Sequence, residues 1–221
     1  MSFDKWITHI FDHPVTDPAW YWGDNAEYWD CSADTMVDYM TQLFEGAEDV
    51  LMPFSDAQVD QGLWWLVSSS GSQYVFALRD EAVPLSSRLI CIQSMETLFE
   101  TCFSKRCSAH LSHLDEAGRS PLNSICYMWW DVIPIHGLTK NAPDRSDSAA
   151  IDEACLNVIQ KILNMNSIAC QESGVLGLLE WGSYYPKIID NAAAKFLSKY
   201  RGRNASKLRP ELRAFVHKYV Y

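Results

Sequence analysis

Ser120-Pro121-Leu122-Asn123-Ser124-Ile125-Cys126-Tyr127-Met128-Trp129-Trp130-Asp131 is the stretch on which the fold turns. A serine at the cap position and a proline in the first turn open a helix, since proline's missing N–H has no intrahelical partner there anyway. Leu122, Ile125 and Trp129 then share one stripe, and Pro134 ends the run. Adjacent tryptophans on a helix point about 100° apart, so only one can sit at the centre of that stripe. Trp129 is expected in the core. Trp130 and Asp131 are left either to widen the core contact or to line a surface used for binding.

The same periodicity runs outward in both directions. After Ser32, the set Met36, Tyr39, Met40, Leu43 and Phe44 follows the helical spacing, and Gly46 closes it. Ser55-Asp56-Ala57-Gln58 reads as a capping box ahead of Val59, Leu63, Leu66 and Val67, with Ser68-Ser69-Ser70-Gly71-Ser72 as the break. Pro84 opens a long helix whose stripe is Leu89, Ile92, Met95, Phe99, Cys102 and Phe103. Gln73 to Leu78 has strand-forming residues but no hairpin partner, so a short helix or an extended connector is expected. Pro14 to Cys31 is rich in aromatics and acids and should clamp onto the helical body.

Beyond a polar loop from Gly137 to Asp147, four more helices are expected, starting near Ser148, Ser167, Pro186 and Pro210. Their spacing approaches the roughly 40-residue period of HEAT and armadillo units. The expected fold is therefore all-α, a HEAT-like or irregular helical-repeat solenoid or bundle. It forms one helical domain over 1–221; any subdivision falls at that loop, into 1–137 and 148–221.

Hydrophobic residues make up 48% and charged residues 21% of the 221, which argues against disorder and allows a sizeable core. The longest apolar runs, such as Leu63-Trp64-Trp65-Leu66-Val67, are too short for a membrane span. Met1 to Trp6 lacks the basic and apolar regions of an export signal, and seven scattered cysteines suit free thiols, so a cytoplasmic location is expected. The net charge of −10 is unevenly spread: residues 1–60 carry −12, whereas Lys195 to Tyr221 carry +7. Such polarity steers partners, and an acidic body disfavours nucleic acid despite the basic tail.

The runs Cys126 to Asp131 and Gln171-Glu172-Ser173-Gly174-Val175-Leu176-Gly177-Leu178-Leu179-Glu180-Trp181 resemble segments of uncharacterised bacterial all-helical proteins with HEAT-like repeat character. The Pro-Glu-Leu-Arg-Ala run from Pro210 to Ala214 extends the similarity. The resemblance implies a HEAT-like helical fold. It brings no activity and no functional residues with it.

Candidate chemistry is sparse. Cys102, Cys107, His110 and His113 are zinc-ligand types, yet on one straight helix Cys102 and His113 stand about 16 Å apart along the axis, so only a sharp break would gather them. His9 and His13 lack the glutamate of a His-Glu-x-x-His site. His136 follows Asp131 at a helix end with no nucleophile in view. Gly174 and Gly177 suit close helix packing rather than a nucleotide loop. No catalytic residue, metal site or cofactor is assigned. The expected role is a non-catalytic interaction module, an adaptor or immunity-type partner of a basic protein. Trp129, Trp130 and Asp131 would lie near its groove, with Glu172 and Trp181 as further contacts. The rival is an enzyme, a DNA-glycosylase-like or other hydrolase using a carboxylate or His136.

Overall fold

A computed structural model describes residues 1–23 and 28–219. Positions 24–27 of the expected N-terminal clamp lie outside the described residues. The helices are α1 (Phe3–Phe11), α2 (Ala33–Glu45), α3 (Ala47–Val50), α4 (Asp56–Val67), α5 (Leu85–Leu98), α6 (Ser104–Arg106), α7 (Leu122–Val132), α8 (Leu138–Asn141), α9 (Ser148–Ile162), α10 (Ile168–Gly182), α11 (Pro186–Ser198) and α12 (Pro210–Tyr219). No strand occurs among the described residues. The fold is all-α.

Local chemistry sets several of the helix starts. Ser32 accepts a hydrogen bond from the Thr35 N–H, and Ser55 with Gln58 forms the reciprocal capping box. Gln73 to Leu78 resolves as a short 3-10 helix, Tyr74–Arg79. α5 does not stop at Leu98; it passes through one π turn, Phe99–Phe103, into α6. The extra residue in that turn swings Phe99, Cys102 and Phe103 inward together.

One hydrophobic cluster runs from Trp6 to Val216. α5 packs on α2 and α9, while α7 packs on α4 and α10. α10 also touches α9, α11 and α12, and most of its side chains are buried. Its glycines permit this crowding: a Cβ on Gly177 would stand 3.0 Å from Trp130 Cδ1 and from Ile159 Cγ1. Gly62 does the same for α1 and α4, where a side chain would collide with the Phe11 ring. The contacts of α9 and α10 reach back across the Gly137–Asp147 loop to α5 and α7.

That loop is not structureless. It holds α8, whose first two N–H groups, on Leu138 and Thr139, each donate 2.9 Å bonds to the buried Asp152 carboxylate of α9. The Tyr185 hydroxyl donates to the same carboxylate at 2.5 Å. Its polar composition reflected a capped short helix rather than a free linker.

Candidate functional site

The residues expected around the groove divide sharply. Trp129 is 0% exposed and meets Phe44, Phe99 and Phe103 edge-on, with ring centroids 5.7–5.9 Å apart. Trp130 is equally buried and stacks on Phe99 at 6.3 Å. Trp181 is buried against Tyr185. None of the three indoles offers surface to a partner. Because α7 has α4 and the π turn on one side and α10 on another, it buries a band wide enough for both tryptophans. Only Asp131 is exposed. It faces Glu180, whose carboxyl is pushed up by burial and by Asp131, with His136 pulling it back.

Glu172 is also fully buried, with its oxygens engaged from outside α10. It accepts the Ser112 and His113 backbone N–H groups at 2.9 Å each and pairs with His113 Nδ1 at 2.6 Å. The His113 ring stacks on Phe215 of α12 at 4.3 Å. This carboxylate pins the connection between α6 and α7 to the core.

The four residues of zinc-ligand type, to which no metal site was assigned, run into the same connection. The sharp break exists, since the helix ends at Arg106, but His113 goes to Glu172 and His110 Nδ1 goes to the Ser108 hydroxyl at 2.9 Å. No group of three or more His, Cys, Asp or Glu among the described residues is arranged to hold a metal ion. Within the basic tail, Arg209 is paired with Glu116 at 2.5 Å and Arg213 donates to the Tyr200 carbonyl.

A concave surface rich in acids and aromatics lies along the N-terminal segment. Gln58 and Gln61 of α4 reach out and donate to the His13 and Thr16 carbonyls, at 3.1 and 2.7 Å. His13 stacks flat on Trp20 at 3.6 Å, and Trp20 rests on Trp65. These contacts hold the expected clamp in place. Two cavities open beside it.

The first, about 570 Å³, is bounded by Asp17 and Tyr21 of the segment, by Asp60, Gln61 and Trp64 of α4, and by Pro121. Burial pushes the Asp60 carboxyl up to about 7, with the Ile125 backbone N–H and the Trp64 indole pulling it back in part. Asp60 Oδ1 and Gln61 Oε1 are both shielded from solvent and have no hydrogen-bond partner among the described residues. Burial, and then the charge of Asp60, push the Tyr21 hydroxyl up to about 12.

The second cavity, about 530 Å³, lies between Tyr28 to Met36 and the 3-10 helix at Tyr74. Trp29, Tyr74 and Phe76 supply its aromatic walls, with Asp30 and Asp80 at its edge. The Tyr74 hydroxyl accepts the Trp29 backbone N–H at 2.8 Å. No lysine, arginine or histidine is among the described residues lining either cavity.

The sequence did contain a signal for this surface. Asp60 and Trp64 are spaced i, i+4 on α4 and fall outside its Val59, Leu63, Leu66, Val67 stripe, so one helix face pairs an acid with an indole. Compared with family models, with curated proteins and with solved structures, the chain matches none.

Proposed function

We propose that this chain is a non-catalytic interaction module that takes a basic partner protein on its acidic, aromatic N-terminal face. The observation that carries this reading is the pair of cavities beside the N-terminal segment, both walled by aromatics and acids with no base among their described lining residues. Aromatic walls give contact area at low entropic cost, and uncompensated acids favour cationic groups. The charge of −12 over residues 1–60 attracts such a partner from a distance. The all-helical body suits a scaffold, and stacked HEAT-like pairs are part of the proposal. A reducing, cytoplasmic setting accords with seven free cysteines, five of them buried. No helix is long and apolar enough to cross a membrane.

Affinity capture from the native host with mass spectrometry tests this. The wild-type chain should retain basic proteins in a salt-sensitive manner, and the triple variant Trp29→Ala, Asp30→Asn, Asp80→Asn should retain them at least about tenfold less well. Recovery of no protein partner, together with turnover of a small molecule, would overturn it.

One observation favours the enzymatic alternative. A carboxyl titrating near neutrality beside a cavity is the equipment of general acid–base catalysis. Tyr21, whose hydroxyl feels the charge of Asp60, is held protonated and supplies no nucleophile. Binding is therefore the better reading.

A further inference from the structure

The seven free cysteines are not equivalent. Five are buried, whereas Cys31 and Cys107 are half-buried and each lines a cavity. Cys107 stands where the chain leaves α6, and it borders a third cavity of about 500 Å³ with Ser108, Gln171, Lys199, Tyr200 and Lys207. This cavity shares no residue with the two N-terminal ones and has no acid among its described lining residues. Lys199 donates to the neutral Asn164 side chain, which leaves its charge uncompensated there. Cys31, by contrast, stands in a cavity with Asp30 and Asp80.

Behind Cys107 the core holds two more thiols. Cys126 of α7 lies within hydrogen-bonding distance of both Cys107 and Cys170. Cys170, in the first turn of α10, directs its Sγ to the Phe99 carbonyl at 3.8 Å. The three sulfurs form a chain from the cavity wall into the core. They are not arranged to hold a metal ion. A half-buried thiol backed by a buried one is instead the arrangement of thiol–disulfide exchange, in which the outer thiol attacks and the inner one resolves.

We infer that Cys107 is a modification site for an anionic low-molecular-weight disulfide of the glutathione class, with Cys126 as its resolving thiol. Cys107 attacks as the thiolate, the S–S bond of glutathione disulfide breaks, and a mixed disulfide forms on Cys107. The first glutathione leaves as a thiolate and takes up the proton that Cys107 gave up. Cys126 then attacks Cys107 Sγ from the core, and the second glutathione departs into the cavity and takes up the Cys126 proton. Two protein thiols are oxidised to one disulfide, and one glutathione disulfide is reduced to two thiols. Lys199 and Lys207 favour the carboxylates of that reagent. Asp30 and Asp80 repel them at Cys31, whose thiol is pushed up by burial and by Asp30. Burial likewise keeps Cys126 protonated, so the second step is the slower one and the mixed disulfide builds up first.

The test treats the folded full chain with glutathione disulfide or with cystamine, a disulfide that carries ammonium groups and no carboxylates, and follows each cysteine by peptide mass spectrometry. With glutathione disulfide, Cys107 should be modified at least about fivefold faster than Cys31, and its adduct should give way to a Cys107–Cys126 disulfide. With cystamine that preference should shrink by about fivefold or more. Lys199→Gln combined with Lys207→Gln should slow the glutathione reaction at Cys107 by roughly threefold or more and spare the cystamine reaction. Cys126→Ala should leave the Cys107 adduct in place. Should that variant fail to fold, the wild-type time course decides, since it must show the adduct first and the internal disulfide later. Equal modification of Cys31 and Cys107 by glutathione disulfide, a wild-type adduct that never resolves, or the same preference with both reagents overturns the inference.

Discussion

Glu172 and Asp60 are both carboxylates on core helices, and the protein uses them in opposite ways. Glu172 on α10 is fully buried and accepts two backbone N–H groups and an imidazole nitrogen. Asp152 on α9 repeats the arrangement for α8. Glu172 meets the first N–H groups of the 3-10 turn Ser112–Leu114 and Asp152 those of α8, groups that have no partner within their own helix. Asp60 on α4 has one oxygen with no donor among the described residues, and its carboxyl is pushed up to about 7 by burial. A buried acid with its donors in place is architecture. Asp60, which takes the Ile125 N–H and the Trp64 indole but has no donor at Oδ1, is incompletely paired, and that costs stability.

The largest expected effect breaks the architectural side of that contrast. Glu172→Ala leaves the Ser112 and His113 N–H groups and the His113 ring without their acceptor, inside a site closed by Phe215. A loss of about 3–5 kcal/mol in unfolding free energy by urea titration is expected, as for the removal of one member of a buried pair. Glu172→Gln keeps one carbonyl acceptor and should lose less. A loss below about 1 kcal/mol for the alanine variant would show that the α6–α7 connection is held by other contacts.

Asp60→Asn should act with the opposite sign. With its carboxyl raised from 3.8 to about 7, folded Asp60 keeps a proton that the unfolded chain has released over that interval. Stability contributed by Asp60 therefore falls as pH rises from about 4 to about 7, and the loss is complete above 7. A shift of that size corresponds to roughly 4 kcal/mol at most. Partial solvent contact reduces the expectation to about 2–3 kcal/mol. Asp60→Asn should thus match wild type near pH 4 and exceed it by that amount at pH 8, in urea titrations across the range. An asparagine variant that is less stable than wild type at pH 8 would place Asp60 with Glu172 as a structural acid.

The contrast also explains what could be read from sequence. Helix starts at Ser32, Ser55 and Ser167 were legible because a capping oxygen and its N–H lie three residues apart. Close packing at Gly177 was legible because a missing side chain in a helix needs a neighbour to justify it. Trp130 was misplaced for a different reason. One helix has one stripe when it packs on one neighbour, but α7 is gripped from two sides, and nothing within 120–131 records the approach of α10. Glu172 and Asp152 were opaque for the same cause, since their partners lie 59–60 and 13–14 residues away. The Asp60 site needed the fold of residues 15–21 over α4, a pairing set by Gln58 and Gln61 reaching backbone carbonyls 45 residues distant.

Asp131 supplies the smallest effect and the cleanest control. It is the single member of the Trp-Trp-Asp run with solvent access, and its recorded influence is to raise the Glu180 carboxyl across the surface. Exposed like charges repel weakly in water, so Asp131→Asn should change stability by no more than about 0.5 kcal/mol, in the stabilising direction. The Glu180 carboxyl should move down toward its ordinary value, a shift visible in an NMR pH titration of its side chain. Binding of a basic partner should be untouched, because Asp131 lines neither N-terminal cavity. Should Asp131→Asn instead weaken binding as much as the triple variant at Trp29, Asp30 and Asp80 does, the interaction surface would have to extend from the N-terminal face to the end of α7.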